Sequence, residues 1–486
     1  MTTAIATTKL ASDKRGNPRI WIEGRKLEQA GFTPQARYRM TIDADKRRIV
    51  LALAQDGDRT VSRRARRGKE MPIVDIVNAG ALSSFLPAST LRIDFAAGTI
   101  TIEPSANDAR RIRREARTLA RLREESPLRC GSVSTGLGVL SHALHEGLAK
   151  SGIASELAFS VEIDQEYQDL CAERNPAWHT STQSINMPLQ EFAFDKQAID
   201  KLEEVDILEA GIPCTAHSIA GRSKKKLAMP EHDPVAGHLV VGFLAIVAAA
   251  NPSVVIVENV PQYAESASFA ILTNQLTEWG YDIDHAILRG EDFECLEHRH
   301  RMALIATSRS MNARVHEAIQ TCANIQLKVG DILEDVAEDS PLWSEMKYLK
   351  DKEDRDRIAG KGFRMQILGP DDTKVGTIGR GYAKVRSTEP KLRHPSDTSL
   401  LRQFTPVEHA RIKGVPEDMV SDLPMTTAHE MLGQSIVAGP FRALGVALGS
   451  ELSGWKEGRN KARQSEQPKA IEIAATPDQP TQLGLL

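Results

Sequence analysis

Apolar residues along this chain follow two different rhythms, with a charged stretch between them. In the first 105 residues they come in short β-prone runs separated by turn residues: Ile20-Trp21-Ile22, Tyr38 to Ile42, Ile49 to Leu53, Leu91 to Phe95 and Ile100-Thr101-Ile102. Such runs predict half-buried strands, so residues 1–105 read as a small β-rich domain. Residues 106–126 are rich in Ala and Arg and end before Pro127, which predicts a charged linker helix. From 127 to 309 the rhythm changes. Strand-length apolar runs such as Ala158 to Ile163, Val205 to Leu208, Val254 to Val257 and Met302 to Ala306 alternate with helical segments. That alternation predicts an α/β sheet with crossover helices. Residues 310–400 break the pattern with charge clusters and loops, and 401–455 resume it. The tail, 456–486, is rich in Gln, Pro, Lys and Glu and is expected to be disordered.

Composition changes this picture in three ways. A length of 486 residues is too great for one core and implies two or three domains. The formal net charge of −3 excludes a globally basic coat but not local patches. One such patch, Val61 to Lys69, is either a solvated loop or a phosphate contact. Five cysteines without CxxC spacing argue for a reduced, cytoplasmic protein without structural zinc. Met1-Thr2-Thr3-Ala4 has no secretion-signal character, and the longest apolar run, Leu239 to Ala250, is short of the ~18 residues of a membrane span.

The candidate chemistry sits at strand ends. Cys214 follows a predicted strand and the turn Gly211-Ile212-Pro213. A lone cysteine is usually packing, but Thr215, His217, Ser218, Gly221 and Arg222 around this one are not core residues. Such a setting suits a reactive thiolate. Lys224-Lys225-Lys226 either meet phosphate or face solvent. Glu258 ends a fully apolar strand, where a carboxyl needs a partner or a raised pKa, and a raised pKa would suit a proton donor. Arg299 and Arg301 alternate just before a strand, a spacing that turns both to one face, as a clamp or a surface pair. Gly136-Leu137-Gly138 opens a helix, and Glu162 ends the next strand; a glycine turn with an acid at the second strand is how such sheets hold a nucleoside.

These motifs, in this order, resemble the DNA (cytosine-5) methyltransferase family over roughly residues 128 to 452. Pro213-Cys214 matches its Pro-Cys motif, and Glu258-Asn259-Val260 its Glu-Asn-Val motif. Glu297 to Arg301 partly matches Gln-x-Arg-x-Arg. Arg402 to Glu408, with Arg411 and Gly414-Val415-Pro416, looks like its Leu-Thr-Pro-Arg-Glu segment. Gly433-Gln434-Ser435-Ile436-Val437 looks like its closing Gly-Asn-Ser/Ala-Val motif. The family's Asp-Leu-Phe-x-Gly-x-Gly-Gly aligns with Ser132 to Val139, so Ser134 replaces the aromatic ring and Val139 the last glycine. Thr215 and Glu297 stand for two glutamines, and Ser184 or Asn186 for an Asp that contacts adenine.

The resemblance implies a Rossmann-like class I methyltransferase sheet with S-adenosylmethionine as cofactor and an inserted target-recognition region at 310–400. Cys214 would attack C6 of a flipped cytosine, Glu258 would protonate N3, and Arg299 and Arg301 would steady the ring. Ser134, Thr135, Gly136, Gly138, Glu162, Ile163, Pro213 and Ser435 would line the cofactor. Arg380, Tyr382, Lys384, Arg386 and Lys224 would contact DNA. Double-stranded DNA is the implied partner, with no metal, no membrane and a single chain, in a restriction-modification setting. Two alternatives stand beside this: a non-catalytic DNA-binding relative, and a cytosine-modifying enzyme with another donor.

Overall fold

The computed structural model describes residues 2–66, 69–77, 79–85, 89–213, 217, 225–321, 327–361 and 364–460. The first part of the chain builds two antiparallel sheets on a shared core. Six strands run in the order Thr2–Lys9, Thr90–Ala96, Thr99–Pro104, Arg48–Leu53, Arg37–Asp43 and Arg59–Thr60. Four more run in the order Ala11–Ser12, Pro18–Glu23, Lys69–Val77 and Ser62–Arg66. Ile20, Ile22, Ile49, Leu51, Ile93, Phe95 and Ile100 fill the space between them. The Thr2–Lys9 strand carries one large apolar residue, Ile5, and so left no periodic signal; it pairs along Thr90–Ala96 through its backbone.

The second rhythm forms a seven-stranded sheet. Its strands are β1 (Leu128–Val133), β2 (Ser155–Val161), β3 (Gln183–Ile185), β4 (Ile207–Gly211), β5 (Val254–Asn259), β6 (Tyr281–Arg289) and β7 (His300–Ser308), in the order β3-β2-β1-β4-β5-β7-β6. The first five are parallel; β7 is antiparallel to β5, and β6 to β7. Val254 to Val257 are wholly buried because helices cover both faces, which explains their unbroken apolar run. The main helices are α1 (Ala106–Glu124), α2 (Val139–Lys150), α3 (Gln165–Arg174), α4 (Leu239–Ala250), α5 (Ala267–Glu278), α6 (Pro406–Lys413), α7 (Met425–Gln434) and α8 (Ala438–Lys456). On one face α2 and α8 pack over Cys130, Ile207 and Ile256; on the other α4 and α5 cover Leu208, Val255 and Val257. Among the described residues no single helix is long and apolar enough to cross a membrane. The tail expected at 456–486 lies, from residue 461, outside the described residues.

Helix α1, expected as a linker, is docked by buried polar contacts. Arg114 donates from Nε to Ser308 Oγ (2.9 Å) and from Nη2 to the carbonyls of Trp279 and Gly280, with its guanidinium over the Tyr281 ring. Thr118 donates to Asp206 Oδ1 at 2.6 Å. Asp206, Asn251, Ser253, Gly280 and Ser308 lie at one edge of the sheet, where the parallel strands begin. Gly211 and Glu258, at the ends of the strands Ile207–Gly211 and Val254–Asn259, lie at the opposite edge.

Residues 310–400 contain short 3-10 turns, the helix Lys347–Ile358, and strands of a small sheet completed by Leu401–Arg402. Backbone bonds from Val375 N to Leu296 O and from His298 N to Val375 O stitch this region to the segment leading into β7.

Candidate active site

Three strand ends meet where β1, β4 and β5 finish. Gly211 is in register with Glu258, and a Cβ on Gly211 would lie 3.5 Å from Ser134 O and 3.8 Å from Glu258 Oε2. Glu258 Oε1 forms an ion pair with Arg301 Nε at 2.7 Å, both side chains largely buried. The carboxyl at the strand mouth has therefore a cation for partner. Asn259, fully buried, donates from Nδ2 to Ile212 O at 3.1 Å and accepts from Val260 N at 2.8 Å, which pins the turn entering Pro213. Pro213 is exposed. Cys214, with Thr215, Ser218, Gly221, Arg222 and Lys224, lies outside the described residues. His217 is buried, its ring 4.7 Å from that of Tyr263 and its Nε2 3.9 Å from Glu231 Oε1.

Arg299 and Arg301 do not share a face. Arg301 turns to Glu258, whereas Arg299 Nη1 lies 3.5 Å from both Glu297 Oε1 and Gly433 O. Residues 297–299 precede β7 and follow their backbone contact with Val375 rather than strand alternation. Glu297 is fully buried, 2.6 Å from Lys413 Nζ in an ion pair bent away from hydrogen-bond geometry, and accepts from Ile378 N at 3.3 Å. Burial pushes the Lys413 ammonium down to about 8, with Glu297 acting against it. The position aligned with a family glutamine is thus one half of a buried ion pair.

On the cofactor side, the Gly136-Leu137-Gly138 turn has left-handed φ of +55° and +78° at its two glycines, and a Cβ on Gly138 would strike Asn175 Nδ2 at 2.4 Å. Glu162 accepts from Gly136 N (2.8 Å), Ile163 N (2.9 Å) and Asp164 N (3.0 Å). Ile163 is 67% exposed, an apolar side chain left open beside that carboxylate. Thr135 hydrogen-bonds Ser160 at 2.7 Å, and Ser134 N donates to Val161 O. Val139, in place of a glycine, is the first residue of α2 and is buried in the core, so it takes no space from the turn. Of the two candidates for the missing Asp, Ser184 accepts from Gln168 within β3, while Asn186 donates to the carbonyls of Glu162 and Ile163 at the strand ends. Ser435 turns its hydroxyl to its own backbone, the carbonyls of Leu432 and Ile436.

Sequence reasoning missed Glu209. It points to the α2 side of the sheet, in register with Ser132 on β1, and its Oε1 makes no hydrogen bond among the described residues. Burial pushes its carboxyl up to about 8, the negative charge of Glu258 adds to this, and the Ser132 hydroxyl acts against it. An acid inside an apolar run was the available signal.

Of the DNA-contact candidates, Arg380, Lys384 and Arg386 are exposed, and Arg380 is ion-paired with Glu430. Tyr382 corrects the expectation. It is wholly buried, donates to Pro390 O at 2.8 Å and accepts from Phe404 N at 2.9 Å, so it is a core residue of the segment 310–400. Lys225 pairs with Asp233, and Lys226 is exposed. Among the described residues no three His, Cys, Asp or Glu side chains group as a metal site.

The model of the C-5 cytosine-specific DNA methylases matches residues 128–450. The type II methyltransferase M1.ScrFI of Lactococcus lactis subsp. cremoris is 28% identical over 49% of this chain and 61% of its own length. M.SsoII of Shigella sonnei is 26% identical over 52% of this chain and 68% of its own. The DNA-cytosine methyltransferase of Escherichia coli (strain K12) is 25% identical over 56% and 68%. In fold, the S. pombe Dnmt2 methyltransferase superposes with a TM-score of 0.52 at 16% identity, covering 68% of this chain and 99% of that one. With the family model spanning residues 128–450, about two thirds of the chain, the chain belongs to the C-5 cytosine-specific DNA methylases, the family of the DNA-cytosine methyltransferases.

Proposed function

We propose that this chain methylates C5 of cytosine in double-stranded DNA, with S-adenosylmethionine as donor and Cys214 as nucleophile. The observation that carries the reading is the Glu258–Arg301 pair set over Gly211, three residues before Cys214. A stacked cytosine hides C6, so the base must leave the helix. Glu258, ion-paired with Arg301 at rest, takes up a proton from solvent as the base enters and gives it to N3 while the Cys214 thiolate adds to C6. S-adenosylmethionine, when bound, supplies the methyl group that C5 takes up. A solvent water or hydroxide takes the C5 proton and N3 returns its proton to Glu258, which restores the C5–C6 double bond and expels the Cys214 thiolate.

The residues at the first two strand ends suit that donor. A carboxylate has about four acceptor sites, of which Glu162 uses three on backbone N–H groups, and ribose hydroxyls are donors for the remainder. Ile163 offers an apolar face to a base, and Asn186 a polar edge. The turn 134–138 lets backbone approach closely. Arg299 serves as a positioning residue between the recognition region and β7. Arg380, Lys384 and Arg386 are the cations offered to DNA by that region, in a cytoplasmic enzyme of the restriction-modification kind.

Trapping on duplex containing 5-fluorocytosine tests the nucleophile, and mass spectrometry of nucleosides from treated DNA identifies the product. A covalent adduct that persists in Cys214→Ser would overturn the assignment. The non-catalytic reading draws on Ser134 in place of an aromatic ring; calorimetric titration with S-adenosylmethionine separates it, because that reading expects no heat of binding.

A further inference from the structure

The whole-chain charge of −3 hides a division. Residues 1–105 hold 18 Lys and Arg against 11 Asp and Glu, a net of +7, while the remaining 44 and 54 give −10. Its densest part is the run from Arg63 to Lys69, left open by the sequence as loop or phosphate contact. The structure makes it a two-stranded ribbon: Ser62–Arg66 is an edge strand paired antiparallel with Lys69–Val77, from Arg66 opposite Lys69 to Ser62 opposite Ile73. Ser62, Arg63, Arg64, Ala65, Lys69 and Glu70 are all exposed, and burial begins only at Pro72. The far half of the ribbon therefore stands clear of the core. Arg63 pairs with Glu70 at 2.7 Å, both side chains more than half exposed. Arg64 and Lys69 have no ion-pair partner among the described residues.

An edge strand exposes unpaired backbone groups, and charged side chains on it discourage pairing with other chains. That role needs one or two lysines, not this cluster with a single carboxylate. A two-stranded ribbon fits the B-DNA major groove in width, and unpaired cations on it meet phosphates. Its position separates it from the reaction. The domain enters the sheet through α1, which docks on Asp206, Ser253 and Ser308 at the edge opposite Glu258, roughly 16 Å away along β5 at about 3.3 Å per residue.

We propose that the ribbon bearing Arg63, Arg64 and Lys69 is a second duplex-DNA contact, apart from the catalytic edge, which grips backbone without reading sequence. It rests on duplex DNA being the substrate. The test uses the full chain and a 40-bp alternating A·T duplex, which contains no cytosine to flip. Fluorescence anisotropy is followed from about 50 to 200 mM salt for wild type, for Arg63→Glu/Arg64→Glu/Lys69→Glu and for the corresponding Gln triple variant. The expected result is at least tenfold weaker binding for the Glu variant, an intermediate loss for the Gln variant, and a salt slope smaller by about 2–3, near 0.9 for each phosphate contact removed. Unchanged affinity and slope in both variants, with melting temperatures equal to wild type, overturn the proposal. Tighter binding of an RNA duplex of the same length, lost in the same variants, overturns the DNA assignment. Failure of the methylation reading appears separately, as absence of 5-methylcytosine while A·T duplex binding persists.

Discussion

Glu209→Gln isolates the energetic cost of placing an acid inside the sheet. The carboxyl ionises near 4.5 when exposed and near 8 in the fold, where burial is the main cause and Glu258 the next. Its folded pKa is raised, so between these values the native state holds a proton that the unfolded chain has released. Stability from this group is complete below about 4.5, falls as pH rises, and reaches its minimum above about 8. The slope is about 1.4 kcal/mol per pH unit, and over 3.5 units the total is about 5 kcal/mol. Glutamine fills the same space and does not titrate. For a family domain of about 320 residues, unfolding entropy near 2.1 cal/mol/K per residue converts that slope to about 2 °C of melting temperature per unit. Thermal melts of both proteins at pH 5.5, 6.5, 7.5 and 8.5 should show the variant gaining about 4 °C on wild type between pH 5.5 and 7.5. Lys413 and His145, whose pKa values are also shifted, are present in both proteins and cancel in the difference. A gap independent of pH would refute the reasoning, because it would mean that Glu209 is already ionised or has found a cation.

Glu258→Gln should lower methyl transfer by about 10²–10⁴, as loss of a general acid does, with the fold retained by circular dichroism; a rate within tenfold of wild type would remove Glu258 from the chemistry. Lys413→Met should cost about 3–5 kcal/mol in urea unfolding because it leaves the Glu297 carboxylate buried without its cation. Glu297→Gln/Lys413→Gln should recover most of that loss, and equal midpoints for single and double variants would contradict it. Tyr382→Phe should cost about 1–3 kcal/mol by orphaning Pro390 O and Phe404 N, and should leave DNA affinity unchanged at temperatures where the protein is folded. A selective loss of DNA binding would restore Tyr382 as a contact.

The pattern of apolar runs was enough to divide this chain into a β-rich part and an α/β part, because burial on both faces of β5 leaves no polar alternation in Val254 to Val257. The Pro-Cys and Glu-Asn-Val motifs pointed to one edge of that sheet, since Pro213 comes two residues after β4 and Glu258 and Asn259 close β5, and strand ends need no long-range information to locate. Contacts between distant segments were invisible in sequence. Arg299 and Arg301 differ by two residues, yet one faces Glu297 and Gly433 and the other Glu258, because residues 297–299 pair with Val375 before β7 begins. Tyr382 looked like a DNA-facing aromatic among glycines and cations, and folding turned its hydroxyl to a carbonyl eight residues on. Local composition sets which segments become strands and which residues can react. Which side chains then share a pocket, and which arginine meets Glu258, depends on register and packing between segments far apart in the chain.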